Sequence, residues 1–185
     1  MEIKFGTDGW RGVIAREFTF DNLSLVAQAT MDWMVREGLA DQGVVVGYDR
    51  RFLSAEFARR VVEVAAGNGI KVLLSSESTP TPAVSWAVKE RGCGAGIMIT
   101  ASHNPPIYNG FKIKEGYGGS ARPETTKLLE QIVAYNCAEK RPVRAKPFEE
   151  ALHHGDVEQF DAADGYLRQL GRMVDIEAIR KAAIP

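Results

Sequence analysis

Short apolar segments alternate with amphipathic helical segments from the amino terminus to about residue 135. Three valines at 44–46 stand between glycines, and a second apolar run covers 95–99. Both are typical of strands that are buried on two faces. Around them, apolar residues recur at helical spacing, as at 23–35 and 57–65. The alternation predicts an α/β fold, a three-layer α/β/α domain with a mostly parallel mixed sheet.

Local signals add further elements to this domain. Strands are predicted at 70–74 and 111–114, and Pro123 suits the first turn of a last helix. Ser54 is the expected cap of the helix that follows the valine strand. The dipeptide Asn109-Gly110 predicts a turn that leads into one antiparallel edge strand.

The chain divides into three parts by composition. Residues 1–136 form the predicted α/β domain. Residues 137–156 contain several basic residues and prolines, which indicates a linker. Residues 157–185 are predicted to form two helices, at 157–170 and 176–182, with no strand beside them. Two helices cannot build a core of their own, so we interpret this part as the helical start of a truncated second domain.

Composition and charge exclude several classes of partner. A formal net charge of -1 offers no broad positive surface for nucleic acid or an anionic membrane. No apolar run could span a bilayer, and residues 1–12 lack the apolar core of a secretory signal. Cys93 and Cys137 have neither metal-ligand spacing nor a disulfide framework. We therefore expect a cytoplasmic protein with no nucleic-acid or membrane partner.

The loop at 100–106, Thr-Ala-Ser-His-Asn-Pro-Pro, directly follows a predicted buried strand. Ligands of open α/β sheets bind beyond the carboxyl ends of strands, and polar residues on such loops often carry function. The two prolines stiffen the loop, and a stiff loop presents a nucleophile with little reorganisation. Ser102 is therefore the first candidate for chemistry.

Four interpretations of Ser102 stay open on the residues alone. A hydrolase nucleophile would stand in Gly-x-Ser-x-Gly, but Thr100 and Asn104 occupy the glycine positions here. A P-loop serine would follow a Gly-Lys pair, which the sequence lacks. The other two are a structural serine that bonds its own backbone and a phosphorylated serine.

Four segments of the chain resemble three motifs of one enzyme family. Residues 100–105 read TASHNP and 108–112 read YNGFK, while 5–12 read FGTDGWRG and 47–51 read GYDRR. The first two segments together are similar to the active-serine signature of the α-D-phosphohexomutases, the phosphoglucomutase and phosphomannomutase family. Residues 5–12 are similar to the opening motif of that family, and 47–51 to the motif that follows its first helix. The resemblance covers roughly residues 3–135.

The resemblance implies chemistry at a phosphoserine. The serine donates its phosphoryl group to a hydroxyl of a hexose phosphate substrate, and the bisphosphorylated sugar turns over and returns its other phosphoryl group. Hexose 1-phosphate and hexose 6-phosphate are thereby interconverted, with hexose 1,6-bisphosphate as intermediate and activator. The implied cofactor is Mg²⁺, bound in part through the phosphoryl oxygen of Ser102, because Mg²⁺ prefers oxygen ligands.

The resemblance also implies catalytic roles for the residues that match the motifs. Ser102 is the phosphoryl carrier, and His103 beside it bonds substrate or moves a proton. Lys112 is a candidate for proton transfer and charge stabilisation, and Arg11 points toward the phosphoserine. The alternatives are a structural loop histidine for His103, a solvated strand lysine for Lys112, and for Arg11 an ion pair, for example with Asp8.

Other polar residues near these motifs are expected to shape the site rather than react. Asn104, Asn109 and Arg50 are placed in this group. Either Arg50 or Arg51 could bond loop carbonyls, although a salt bridge is the favoured interpretation for both. The histidine pair at 153–154 is expected to be solvated rather than to bind metal.

Family members have four domains around one cleft, and the motifs of the last three are absent from this sequence. The resemblance therefore implies that the missing carboxyl-terminal domains of the same chain are partners. We expect no mutase activity from this chain alone, and glucose or mannose phosphate as the preferred sugar. The alternatives are phosphoglucosamine mutase specificity and a non-catalytic phosphosugar-binding or regulatory module. The intact set Ser102, His103, Lys112 and Arg11 favours an enzyme.

Overall fold

The computed structural model describes residues 3–6 and 9–182; Thr7 and Asp8 of the opening motif, and with them the suggested Arg11–Asp8 ion pair, lie outside the described residues. The strands are β1 (Gly9–Val13), β2 (Val44–Tyr48), β3 (Val72–Ser75), β4 (Ala95–Ile99), β5 (Tyr108–Glu115) and β6 (Val157–Phe160). The α-helices are α1 (Phe20–Arg36), α2 (Ser54–Gly67), α3 (Thr81–Arg91), α4 (Pro123–Ala138), α5 (Phe148–His153), α6 (Ala162–Met173) and α7 (Ile176–Ala182).

The strands form one mixed sheet in the order β1-β5-β4-β2-β3-β6. Strands β4, β2, β3 and β6 run parallel to one another, whereas β5 runs antiparallel to both β4 and β1. Helices α1, α2 and α4 cover one face, and α3 with α6 covers the other. The predicted three-layer α/β/α architecture is confirmed.

The strand that contains Asn109-Gly110 is antiparallel to β4, as predicted, but the predicted turn and edge position are wrong. Both residues lie inside β5 rather than in a turn, and β1 pairs along the outer side of that strand, with Arg11 opposite Gly110. The segment 9–13 contains two glycines among its five residues, and glycine is depleted in strands. Its strand conformation therefore depends on pairing with β5, a contact that is distant in sequence.

The prediction that residues 157–170 form one helix without a strand is also wrong. Residues Val157–Phe160 form β6, which pairs in parallel with β3 at the edge of the main sheet. Val157 and Phe160 are spaced by three residues, so the apolar pattern of this short segment fits a helix as well as a strand. Helices α6 and α7 do follow, and α6 packs on α3. The start of a second domain stays a prediction.

The core lies mainly between the sheet and the layer of α1, α2 and α4. Phe57 of α2, Phe111 of β5 and Leu129 of α4 are fully buried there. On the opposite face, Val84 of α3 packs in a smaller cluster with Met98 of β4. These two clusters hold the sheet rigidly, so the loops at its carboxyl edge start from fixed points. Among the described residues, none of the helices is both long and apolar enough to cross a membrane.

Candidate active site

Two loops meet at the carboxyl edge of the parallel strands. The first, at 49–53, follows β2, and the second, at 100–107, follows β4, which is the neighbour of β2 in the sheet. Ligands of open α/β sheets bind at this edge. Ser102, His103 and Asn104 lie on the second loop. A surface depression between the loops is lined by Asp49, Arg50, Arg51, Phe52, Ser102, Asn104 and Pro106.

The Asp49 carboxylate joins the two loops. One of its oxygens accepts a 2.6 Å hydrogen bond from the Thr100 hydroxyl, and the other accepts bonds from the Ser54 hydroxyl at 2.8 Å and the Arg51 amide at 3.0 Å. The prediction that Ser54 caps α2 is therefore wrong. Leu53, in the left-handed region with φ 59°, precedes α2 without a side-chain cap, and the Ser54 hydroxyl serves the site instead.

Ser102 is exposed at the tip of the second loop and has a φ of 57°, in the left-handed region. This conformation costs a residue with a Cβ roughly 1–2 kcal/mol. It persists where surrounding contacts hold it, and such positions concentrate at functional sites. The Ser102 amide donates a 2.9 Å hydrogen bond to the Thr100 hydroxyl. The exposed serine side chain thus extends from a backbone that the Thr100 hydroxyl helps to hold.

Arg51 is the residue around which the second loop is folded. Its Nη1 atom donates to the carbonyls of Pro105 at 2.9 Å and Tyr108 at 3.0 Å. Its Nη2 atom donates to the carbonyls of Ser102 at 2.8 Å and Asn104 at 2.7 Å. One side chain from the loop after β2 thus contacts four carbonyls in and just after the loop that follows β4.

Arg50 does not take this position. Its Nε atom donates a 3.0 Å hydrogen bond to the Ser78 hydroxyl, in the segment that follows β3. Of the two arginines it is therefore Arg51 that bonds the loop carbonyls, and a role of Arg50 toward substrate stays a prediction. Two arginines side by side give no local signal that separates them, because the path of the backbone through the turn decides which side chain faces the loop.

His103 and Arg11 both lie beside the serine loop. The His103 Nδ1 atom is 3.5 Å from the Ser102 hydroxyl, a separation at the outer limit of a hydrogen bond. Arg11 Nη1 donates a 3.1 Å hydrogen bond to the Asn104 side-chain oxygen. Asn104 also closes a turn, since its amide bonds the Ala101 carbonyl at 3.0 Å. The fold thus brings Arg11, from a strand distant in sequence, to the loop of Ser102.

Asn109 and Lys112 lie on β5, which leads away from the loop. Asn109 is fully buried, and its side-chain amide donates to the Ser54 hydroxyl at 2.9 Å, so it joins β5 to α2. Lys112 is buried and pairs with Met98 of β4 on one side and Gly9 of β1 on the other. It lies two residues beyond Gly110, the partner of Arg11, and therefore shares a sheet face with Arg11.

The described residues 3–6 and 9–182 contain no group of three or more His, Cys, Asp or Glu side chains that could hold a metal ion. The rings of His153 and His154 lie 5.7 Å apart, and His154 is 3.8 Å from a Glu150 oxygen. Both oxygens of Asp49 already accept hydrogen bonds within the site. An exposed phosphoryl group on Ser102 would fit Mg²⁺ as one ligand among several.

Comparison with known families identifies the domain. The sequence model described as "Phosphoglucomutase/phosphomannomutase, alpha/beta/alpha domain I" matches residues 2–139. The chain belongs to the phosphoglucomutase/phosphomannomutase family. The match includes the four motif segments and the elements from β1 to α4, so the serine loop and its supporting strands lie within the family domain.

The names of individual relatives refer to different sugar phosphates. The chain is 30% identical over 194 residues to a "Phosphoglucomutase" of Komagataeibacter xylinus, covering 100% of the chain and 35% of the relative. It is 33% identical over 180 residues to a "Probable phosphoglucosamine mutase" of Methanothermobacter thermautotrophicus, covering 97% and 37%. The crystal structure of a "putative phosphomannomutase" of Thermus thermophilus superposes with a TM-score of 0.81 at 40% identity, covering 96% and 37%. The chain spans little more than a third of these proteins.

Proposed function

We propose that this chain is the phosphoserine-bearing part of an intramolecular phosphotransferase that interconverts hexose 1-phosphate and hexose 6-phosphate. The observation that carries the proposal is the placement of Ser102. Its hydroxyl is exposed at the tip of a loop whose backbone is held in a left-handed conformation, within the domain that matches the family. A phosphoryl carrier needs both an accessible oxygen and a fixed position.

The proposed step is the reversible transfer of one phosphoryl group. A sugar hydroxyl oxygen forms a bond to the phosphorus of phosphoserine 102, the bond from phosphorus to the serine oxygen breaks, and the proton of the sugar hydroxyl passes to the serine oxygen. In the return step, the serine oxygen forms a bond to the other phosphorus of hexose 1,6-bisphosphate, the bond from that phosphorus to its sugar oxygen breaks, and the serine proton passes to that sugar oxygen. The net result moves phosphate between two positions of the sugar, and the serine is phosphorylated again.

Cationic and proton-carrying groups near the loop support this step. A phosphoserine carries about two negative charges at neutral pH, and Arg11 and Arg51 both contact the loop that would bear it. We assign His103 to substrate bonding or proton transfer, and Lys112 to charge stabilisation. Mg²⁺, when bound to the phosphoryl oxygen, would neutralise charge on the transferring group.

The proposal places the complete reaction in a longer protein. The relatives are nearly three times as long as the matched region, so we expect the remaining domains to supply the sugar-reading and metal-binding residues and this chain alone to show no turnover. Glucose or mannose phosphate is the proposed substrate class, with glucosamine phosphate as the alternative, because the names of the relatives include all three sugars. We also propose a cytoplasmic location, which the two free cysteines favour.

The test is the transfer of phosphate to the chain. We would incubate the wild type, Ser102→Ala and the control Ser76→Ala, which removes an exposed serine outside the loop, with glucose 1,6-bisphosphate and Mg²⁺. Phosphopeptides would then be mapped by mass spectrometry. We expect phosphate on Ser102 in the wild type and in Ser76→Ala, and none in Ser102→Ala.

Phosphate on another residue would contradict the assignment of Ser102. If no protein accepts phosphate, the same experiment on the longer protein decides the question. Absence of phosphoserine 102 there as well would favour a non-catalytic phosphosugar-binding module of the same fold.

A further inference from the structure

The Arg51 guanidinium donates four hydrogen bonds to carbonyls in and just after the loop, and its Nε atom forms an ion pair with an Asp49 carboxylate oxygen at 3.4 Å. The side chain is 14% exposed, so water has limited access to these donors. Arginine carries five donors in a planar fork, whereas lysine has three on a single nitrogen. Only arginine matches this set of acceptors.

The loop satisfies only one of these carbonyls from within itself. Pro105 and Pro106 have no backbone N–H, and the internal backbone bonds of the loop run from the Asn104 amide to the Ala101 carbonyl and from the Tyr108 amide to the Pro105 carbonyl. The carbonyls of Ser102 and Asn104 accept no such bond and are reached by Arg51. Carbonyl oxygens that converge on one point repel each other unless a cation lies between them. The wound conformation of the loop therefore depends on a donor supplied from outside.

We infer that Arg51 is the positioning residue of the proposed phosphoryl carrier. It sets the backbone conformation of residues 102–108 through its forked hydrogen bonds, and thereby holds Ser102 in the left-handed region from which its hydroxyl projects. Charge alone would not achieve this, because the four carbonyls lie in different directions around the guanidinium. The inference rests on the proposed function for its catalytic meaning, but its structural content can be measured independently.

The Asp49 carboxylate completes the arrangement. It faces the Nε edge of Arg51 and also accepts the hydrogen bond of the Thr100 hydroxyl, which in turn bonds the Ser102 amide. The loop is thus held at the carbonyls by Arg51 and at one amide through Thr100. Arg51 and Asp49, the residues behind these two contacts, both lie in the turn after β2. A change at Arg51 is therefore expected to alter the loop while the strands stay in place.

The test compares Arg51→Lys, which keeps the charge, and Arg51→Gln, which removes it, with the control Arg60→Lys. Arg60 is a partly exposed arginine of α2 whose bonds go to Ser24 and Glu63. Amide hydrogen exchange and the φ-sensitive coupling of Ser102 would be measured by nuclear magnetic resonance on the 185-residue chain. Phosphorylation of Ser102 by glucose 1,6-bisphosphate would be followed as a function of its concentration.

We expect exchange at the Asn104 and Tyr108 amides to accelerate about tenfold or more in both Arg51 variants, as the loss of one or two hydrogen bonds implies. The Ser102 coupling should change, and exchange within β4 should stay within about twofold of the wild type. The maximal rate of phosphorylation should fall at a nearly unchanged half-saturating concentration. Arg60→Lys should match the wild type in each measurement.

An unchanged loop in Arg51→Lys would overturn the inference, since charge without the fork would then suffice. Loss of protection throughout the chain in both variants would also overturn it, because a positioning role is confined to the loop. If the loop changes but no protein accepts phosphate on Ser102, the inference stands and the proposed function fails. If phosphorylation proceeds equally in all variants with an unchanged loop, the proposed function stands and the inference fails.

Discussion

The hydroxyl oxygen of Thr100 lies 2.6 Å from a carboxylate oxygen of Asp49. This hydrogen bond joins the ends of two adjacent parallel strands, β4 and β2. Thr100 also accepts the amide hydrogen bond of Ser102, so one buried hydroxyl links a charged group to the backbone of the proposed carrier. Small changes at this position are expected to act on both loops at once.

Thr100→Val removes this hydroxyl with little change in shape. The Asp49 oxygen loses its 2.6 Å donor, and the Ser102 amide loses its acceptor. We expect the free energy of unfolding to fall by about 1–3 kcal/mol, as for polar groups left without partners. Urea denaturation measures the change. Thr30→Val is the control, since the Thr30 hydroxyl bonds only the Val26 carbonyl within α1, and equal losses in both variants would contradict the prediction.

Gly110 has no room for a side chain. A Cβ atom there would lie 2.6 Å from the Thr100 carbonyl oxygen and 2.9 Å from that of Trp10, and neither backbone atom can rotate away. We expect Gly110→Ala to destabilise the chain by about 1–3 kcal/mol. Gly171 of α6 has no neighbouring atom within 4 Å of the same position, so Gly171→Ala should be neutral or stabilising by up to about 1 kcal/mol. Thermal unfolding of both variants checks this contrast.

Glu115 lies at the end of the sheet opposite the serine loop. It is buried at the end of β5, where its carboxylate accepts hydrogen bonds from the amide and Nε of Arg122 and from the Thr125 hydroxyl. Glu115→Gln places an amide among these donors, and we expect a loss of about 2 kcal/mol in unfolding free energy. The exposed Glu158→Gln should change it by less than about 0.5 kcal/mol. Equal denaturation midpoints for the two variants would argue against this role.

The two cysteines are expected to differ in reactivity. Burial raises the pKa of the Cys93 thiol, and the positive charge of Arg91 opposes this effect only in part. Cys137 is exposed. Because the thiolate is the reacting form, iodoacetamide at neutral pH should modify Cys137 first and Cys93 only after unfolding. Peptide mapping over time, with Cys137→Ser as the control, measures both rates.

The raised pKa of Cys93 also has a consequence for stability. Below the pKa of an unfolded thiol, about 8.5, both states hold the proton and the contribution is fully present. As the pH rises beyond that value, the unfolded chain releases its proton first, so stability falls. When the pH is raised from neutral to above that pKa, we expect the free energy of unfolding to fall less in Cys93→Ala than in the wild type. Urea denaturation at both pH values measures the two changes. An equal loss in both proteins would show that the Cys93 thiol does not contribute.

Local sequence patterns are sufficient to predict an element where the segment itself carries a clear apolar pattern or a cap residue. The strand at 95–99 has the predicted bounds, and Pro123 begins α4 as expected. The sequence pattern predicts no strand at 9–13 and a helix at 157–160, whereas both segments form strands. Both lie at the edges of the sheet, where pairing with a strand distant in sequence determines the conformation. Short segments of this kind have no periodicity that separates strand from helix.

The sequence by itself determined the layered α/β fold, the family and the loop that carries Ser102, because these depend on local periodicity and on contiguous motifs. The tertiary structure alone decided that Arg51 rather than Arg50 contacts the loop, that Ser102 is held in the left-handed region, and that Arg11 reaches Asn104. Such contacts depend on the relative placement of strand ends. That placement is set by sheet pairing between segments far apart in the chain, which no local pattern encodes.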